Sequence, residues 1–194
     1  MSRKETVSRK TKETDITLTL ETQGRRGAEI SSGVPFFDHM LNAMAFHGGF
    51  HLNIDASGDI DVDPHHLVED LGLVLGEAFA AIREGGPTAR FGHSVIPMDE
   101  ALAEVTVDAA GRPYLVYRAD YPQAMAGTFD LSLIREFLLA LSTKGGMNIH
   151  AHCRYGENGH HMAEALFKAL GRALGAAFTP LEEEKILSTK GSLG

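Results

Sequence analysis

Residues 65–82 read HHLVEDLGLVLGEAFAAI, and residues 160–177 read HHMAEALFKALGRALGAA. Position 160 aligns with position 65, so the second segment follows the first by 95 positions. A self-similarity of this kind indicates a fold built from repeated supersecondary units. The identical pairs are His65/His160, His66/His161, Glu69/Glu164, Leu71/Leu166, Leu75/Leu170, Gly76/Gly171, Ala78/Ala173 and Ala81/Ala176. The chain therefore contains the motif HHxxE twice.

The segments that precede these motifs also correspond, at an offset of 97 positions. Residues 36–52 (FFDHMLNAMAFHGGFHL) lie over residues 133–149 (LIREFLLALSTKGGMNI), and Gly48-Gly49 meets Gly145-Gly146. This match rests on pattern more than on identity. Under it, His39 falls opposite Glu136.

Hydrophobic periodicity and the Gly and Pro positions predict the same elements in each half, namely strand–strand–helix–strand–helix. The predicted strands of the first half are 15–21, 28–32 and 50–56, with helices over 35–46 and 64–84. The predicted strands of the second half are 100–109, 114–120 and 147–153, with helices over 131–143 and 160–178.

These elements predict an α+β fold that is internally duplicated. Each half would form a sheet with one apolar face and two helices to cover it, so the simplest burial places two outer sheets around a four-helix bundle. We expect residues 1–194 to form one compact unit of two repeats, about 8–93 and 94–180. The tail 181–194 lacks a long hydrophobic pattern, and we expect it to be flexible unless a ligand orders it.

The composition is that of an ordinary globular protein, with 43% hydrophobic and 23% charged residues. A net charge of -8 with no basic stripe argues against nucleic acid as a partner. No apolar run is long enough to span a bilayer, and the polar N-terminus does not resemble a signal peptide. With a single cysteine, Cys153, the chain is expected to be cytoplasmic and to have no membrane partner.

The HHxxE spacing suits metal ions held by imidazole nitrogen and carboxylate oxygen, such as Mn²⁺, Fe²⁺ or Zn²⁺. On a helix, Glu69 shares a face with both His65 and His66, whereas the two imidazoles diverge by about 100° around the axis. Two adjacent histidines are therefore better placed to serve two metals than one. The same holds for His160, His161 and Glu164.

The alternative is that the repeat preserves a capping or packing device, which would not need histidine. Both of the equivalent positions, His39 and Glu136, carry a residue that can bind a metal ion, which favours metal coordination there. Each half would then supply four ligands. Glycines beneath the His/Glu faces, including Gly72, Gly76 and Gly171, are costly in mid-helix. We expect these glycines to allow close approach of another group to the helix, either a ligand or another subunit.

Blocks along nearly the whole chain resemble the imidazoleglycerol-phosphate dehydratase family, in its monofunctional form. They are FFDHML, DPHHLVED, PMDEAL, GRPYL, GENGHHMAEALFKALGRAL and STKG. The resemblance implies a fold like the second domain of ribosomal protein S5, trimers that assemble into a 24-mer shell, and two Mn²⁺ per active site, with Fe²⁺ or Zn²⁺ as alternatives. It also implies a hydro-lyase of histidine biosynthesis that converts D-erythro-imidazole-glycerol phosphate to imidazole acetol phosphate and water.

The resemblance further implies roles for individual residues. The metal ligands would be His39, His65, His66, Glu69, Glu136, His160, His161 and Glu164, of which Glu136 replaces the histidine of many relatives. The catalytic acids would be Glu13, Glu69 and Glu164. The substrate would be bound by Glu13, His39, His47, His65, His66, Glu69, Arg90, Arg112, Lys168, Ser188 and Lys190, with the arginines, lysines and Ser188 at the phosphate.

For that reaction we hypothesise that the two ring nitrogens of the substrate lie on two metals, which favours an imidazolate anion. Its electrons would expel the hydroxyl and leave a diazafulvene-like intermediate, whose side chain is acidic enough to lose a proton. Two other classes remain open at this point. A di-metal hydrolase would release phosphate from simple phosphoesters, and a metal-storage shell would bind many ions per chain without turnover.

Overall fold

Each half of the chain folds into three strands, a helix, a strand and a second helix, and the second half adds a short hairpin before its first helix. These elements are seen in a computed structural model that describes residues 3–22 and 27–181. The first half contains β1 (Arg3–Lys10), β2 (Thr14–Thr22), β3 (Gly27–Ser31), α1 (Pro35–Gly48), β4 (Phe50–Gly58) and α2 (His65–Glu84). The second contains β5 (Phe91–Met98), β6 (Ala101–Asp108), β7 (Tyr114–Arg118), a short hairpin of β8 (Met125–Ala126) and β9 (Phe129–Asp130), α3 (Leu133–Gly145), β10 (Asn148–Tyr155) and α4 (Gly159–Ala177).

The two main sheets have the same topology. Their strand orders are β1-β2-β4-β3 and β5-β6-β10-β7, and in each sheet the last pair is parallel while the other pairs are antiparallel. Ile16 pairs with Ala56 in the first sheet, and Ala103 pairs with Cys153 in the second. These pairs extend the repeat to the sheets, because Cys153 follows Ala56 by 97 positions, as Glu136 follows His39.

The helices lie between the two sheets, as the alternation of buried residues along the strands requires. Helices α1 and α2 pack on the first sheet, and α3 and α4 pack on the second. Across the middle, α1 packs on α4 and α2 packs on α3, so every helix contacts a helix of the other half. Phe37 of α1 meets Phe137 of α3 edge-on, with ring centroids 5.2 Å apart. The predicted α+β class with a duplicated half is confirmed.

Glycines bring the paired helices into backbone contact. A Cβ on Gly171 of α4 would lie 2.1 Å from the carbonyl oxygen of Met44 in α1, and a Cβ on Gly76 of α2 would lie 2.8 Å from that of Leu141 in α3. Met44 and Leu141 are themselves repeat equivalents, since they differ by 97 positions. The glycines beneath the His/Glu faces therefore admit another helix of the same chain, and the expectation of a ligand or another subunit there was wrong.

The strands β1 and β5 and the short hairpin of β8 and β9 were not predicted. Strand β1 reads RKETVSRK, a sequence without the apolar alternation of a half-buried strand, and it lies at the edge of its sheet. Strand β5 contains Gly92 and Pro97, both typical of strand boundaries, and it is also an edge strand. Of the predicted tail, only residue 181 lies within the described residues. No helix of the described residues combines the length and hydropathy that crossing a bilayer requires.

We predict that Gly171→Ala destabilises the protein by about 2 kcal/mol or more, because the added methyl group would overlap the Met44 carbonyl. The matched control is Gly85→Ala at the end of α2. Gly85 has a φ of -70°, and its nearest neighbour would lie 3.4 Å from the new Cβ, so the change should stay within about 0.5 kcal/mol. Urea denaturation of chelator-treated protein measures both. Equal stability of the two variants would contradict close helix packing at Gly171.

Candidate metal centre

One predicted ligand of the first half meets two predicted ligands of the second. His39 of α1 lies beside His160 and Glu164, which are one turn apart at the start of α4. The Oε2 of Glu164 lies 3.5 Å from Nε2 of His39 and 3.3 Å from Nε2 of His160. The three ligand atoms all lie within 4.8 Å of one another.

These separations fit a divalent ion. Ligands at about 2.1 Å from one ion and at right angles to each other lie about 3 Å apart, so small adjustments would complete a shared coordination sphere. The donor set of two imidazoles and a carboxylate suits Mn²⁺, Fe²⁺ or Zn²⁺. Because the side chain of His39 is 49% exposed, the group remains open on one side to a further ligand.

Lysine and histidine side chains extend this group along α1 and α4. The Nζ of Lys168 lies 2.8 Å from Oε1 of Glu164, the oxygen that does not face the histidines. Burial alone would raise the pKa of Glu164, but the hydrogen bond and charge of Lys168, together with His39, lower it. The pKa of His47 is lowered by burial and by the positive charges of Lys168 and Arg172. Of the predicted substrate residues, Lys168 thus contacts the candidate metal group directly.

The repeat-related group of the other half is not brought together in the same way. Nε2 of His65 lies 3.6 Å from Oε2 of Glu69, but Glu136 accepts a hydrogen bond from Arg135 at 3.0 Å. Among the described residues, only the His39 group brings three such ligand atoms together. Arg135 occupies the position of Asp38 in the first half, 97 residues earlier, so the repeat differs beside this ligand. Coordination by Glu136 stays a prediction.

The second histidine of each pair contacts different carboxylates from the first, as the divergence of adjacent helix positions predicts. The rings of His65 and His66 are inclined at 86°, and those of His160 and His161 also at 86°. Nδ1 of His66 lies 3.0 Å from Asp59 Oδ2 and 3.8 Å from Glu13 Oε2.

His161 makes the corresponding contact in the second half, where its Nδ1 lies 2.8 Å from Glu100 Oε2. Chiefly through these hydrogen bonds, the carboxylates raise the pKa of both His66 and His161. Asp59 and Glu100 were missed by sequence reasoning, although both lie in turns that directly precede or follow strands of the repeat.

One of the predicted phosphate-binding arginines, Arg90, lies at the other end of α4. The backbone N–H of Arg90 donates to the carbonyl of Ala177, the last residue of α4, and the guanidinium of Arg90 forms an ion pair with Asp108 at 2.7 Å. Arg112 is exposed in the loop between β6 and β7. Ser188 and Lys190 lie outside the described residues.

Comparisons with known proteins agree on one family. Residues 32–174 match the sequence profile described as imidazoleglycerol-phosphate dehydratase. The chain is 50% identical over 196 residues to the imidazoleglycerol-phosphate dehydratase of Geobacter metallireducens, covering all of both chains. It is 49% identical to that of Bacillus velezensis, covering 98% of this chain and 100% of the relative.

Solved structures of two relatives have the same fold. The imidazoleglycerol-phosphate dehydratase of Staphylococcus aureus has a TM-score of 0.83 at 37% identity, covering 92% of this chain and 100% of that one. The enzyme of Pyrococcus furiosus, in complex with (S)-C348, has a TM-score of 0.83 at 40% identity, covering 96% of this chain and 100% of that one.

We predict that His39→Ala weakens Mn²⁺ binding by about 100-fold or more at one site per chain. Loss of a residue that only hydrogen-bonds to a metal ligand already weakens metal binding about 10- to 100-fold, and loss of the ligand itself should weaken it at least as much. Metal analysis after equilibrium dialysis measures the remaining ion. His93→Ala is the matched control, because His93 also faces a carboxylate, Glu104 at 3.1 Å, without a third ligand. If His39→Ala bound as much metal as the control, the His39 group would not be a metal site.

Proposed function

The chain belongs to the imidazoleglycerol-phosphate dehydratase family of hydro-lyases, and we propose that its duplicated His/Glu motifs hold two metal ions that carry out the dehydration. The family supports removal of water from imidazoleglycerol phosphate in histidine biosynthesis. The product is imidazole acetol phosphate. The alternatives of a di-metal hydrolase and a metal-storage shell are set aside by the family assignment.

The observation that carries the proposal is the grouping of His39, His160 and Glu164. A pair of imidazoles and a carboxylate from two packed helices offers one coordination sphere, while His161 contacts a different carboxylate, that of Glu100. By the repeat, His65, Glu69 and Glu136 would form the second set, while His66 contacts Asp59. Mn²⁺ is the proposed cofactor, and the donor chemistry also suits Fe²⁺ and Zn²⁺.

The proposed reaction breaks a C–O bond next to the imidazole ring and a C–H bond on the adjoining carbon. Cations beside the ring nitrogens would supply the charge that favours loss of the ring proton. The ring electrons then expel the hydroxyl, which takes up a proton and leaves as water, so that a diazafulvene-like species remains. Glu13, 55% exposed and 3.8 Å from His66, is the proposed group that moves the proton of the adjoining carbon. The ring then regains a proton, and the enol that forms becomes the ketone.

The separation of the metal group from the arginines supports self-association. His160 and Ala177 are 17 residues apart in α4, which corresponds to about 25 Å along the helix. Arg90, beside Ala177, is too far from His160 for one small substrate to reach both within a chain. We propose that Arg90 and Arg112 bind the phosphate of a substrate held by the metal group of another copy. Trimers that assemble into a 24-mer shell would meet this need, and Lys168, Ser188 and Lys190 would complete the phosphate site.

The direct test supplies Mn²⁺ and imidazoleglycerol phosphate to chelator-treated protein and follows the ketone product by absorbance of its enol. We predict that Glu69→Gln and Glu164→Gln each abolish turnover and metal-driven assembly together, since each removes a ligand charge. Glu77→Gln, at an exposed carboxylate paired with Lys144, should behave as the unaltered protein. Full-rate turnover by either ligand variant would rule out the two-metal proposal.

Mixing two inactive variants tests whether sites are shared between copies. Arg112→Ala removes an exposed guanidinium, and His160→Ala removes a metal ligand. If each site takes its histidine from one chain and its arginine from another, random co-assembly leaves about one quarter of the sites intact. Activity of the mixture after chelation, mixing and Mn²⁺ addition should approach that fraction. A mixture as inactive as its components would place both residues of each site on one chain.

A further inference from the structure

The repeat extends to the acidic residues around the second histidine of each motif. Glu13 immediately precedes β2 and Glu100 immediately precedes β6, and these strands are equivalent in the two sheets. Ile16 and Ala103, which pair with the equivalent residues Ala56 and Cys153, are separated by 87 positions, as are Glu13 and Glu100. The two glutamates are therefore counterparts, one beside His66 and the other beside His161.

Their surroundings differ in a way that separates their roles. In the first half, Asp59 follows β4 and takes the contact with His66 Nδ1 at 3.0 Å, while Glu13 stays at 3.8 Å. In the second half, a register shift in β10 between Cys153 and Tyr155 makes Glu157 the counterpart of Asp59, and Glu157 contributes its backbone N–H to Glu100 at 3.1 Å. Glu100 makes the histidine contact instead.

Glu100 is fixed by three donors. Its Oε2 lies 2.8 Å from His161 Nδ1, and its Oε1 accepts the backbone N–H groups of Glu157 at 3.1 Å and Asn158 at 2.8 Å. Asp99, with a φ of 46°, forms the tight turn that aims Glu100 at the start of α4. A carboxylate whose two oxygens are both held by hydrogen-bond donors suits orientation of a neighbour better than proton transfer.

We propose that Glu100 is a positioning residue, which holds the His161 imidazole through Nδ1 so that Nε2 is presented to a metal ion. An imidazole that donates its Nδ1–H to a carboxylate is fixed in ring orientation and tautomer, and its other nitrogen becomes a better metal ligand. Asp59 holds His66 in the same manner, which leaves Glu13 available for proton transfer. The inference rests on the proposed function, because it assigns the two counterparts different tasks in that reaction.

The test compares Glu100→Gln with Glu13→Gln in the full-length, chelator-treated protein. Free Mn²⁺ is measured by electron paramagnetic resonance during titration, and turnover is measured across the same Mn²⁺ range. We expect Glu100→Gln to weaken Mn²⁺ binding about 10- to 100-fold, with turnover recovering at high Mn²⁺. Glu13→Gln should bind Mn²⁺ normally and stay inactive at every concentration.

Asn158→Ala is the matched structural control. The Asn158 side chain caps α4 by accepting the N–H of His160 at 2.9 Å, so its loss loosens the same helix start without removing the carboxylate at His161. If Asn158→Ala weakened Mn²⁺ binding as much as Glu100→Gln, the effect would be helix capping, and the proposal would be overturned. It would also be overturned if Glu100→Gln bound Mn²⁺ normally, whatever its turnover.

The same experiment separates this proposal from the one on which it rests. Failure of the unaltered protein to bind Mn²⁺, or turnover without it, would contradict the two-metal function irrespective of Glu100. Normal Mn²⁺-dependent turnover of the unaltered protein, combined with an unrescued loss in Glu100→Gln at unchanged Mn²⁺ affinity, would instead assign Glu100 to proton transfer and remove only the positioning role.

Discussion

The carbonyl oxygen of Met44 in α1 occupies the space where a side chain on Gly171 of α4 would begin. This contact, with its counterpart between Gly76 and Leu141, lets helices of the two halves meet backbone to backbone. Close approach of α1 and α4 is what brings His39 to His160 and Glu164. A larger residue at Gly171 would separate the helices and, with them, the ligands. The packing of the core and the geometry of the metal group therefore depend on the same few atoms.

The helices and the repeat could be predicted from sequence because both depend on local patterns. Apolar residues at helical spacing, with Gly48-Gly49 and Gly145-Gly146 as stops, define α1 and α3 closely. The grouping of ligands could not be predicted in this way. A repeat identifies His39 and Glu136 as equivalent positions but does not say which helix each will face. That His39 joins the second motif follows only from the packing of α1 on α4.

The edge strands and the carboxylates around the histidines were not predicted, because their segments lack a regular hydrophobic pattern. Strand β1 carries few apolar residues, because hydrogen bonds to β2 and contacts with α2 hold it more than burial does. Asp59 and Glu100 lie in turns, where hydrophobic periodicity carries no information. The sheet registers, which only the structure provides, align Glu13 with Glu100 and Asp59 with Glu157. The predicted ligands of the two halves are thus similar, while the contacts of the surrounding acids differ.

The asymmetry between the halves has a chemical use in a dehydration, which must both remove and deliver protons around one azole. Two identical sites would offer two identical acids, whereas Glu13 and Glu100 differ in exposure and in hydrogen bonding.

The central claim is that His39, His160 and Glu164 hold one metal ion. The most direct measurement is a crystal structure of the Mn²⁺-loaded protein with anomalous data collected at the manganese edge. The account predicts an anomalous peak within about 2.3 Å of His39 Nε2, His160 Nε2 and a Glu164 oxygen. Manganese bound elsewhere, with these three side chains uncoordinated, would contradict it.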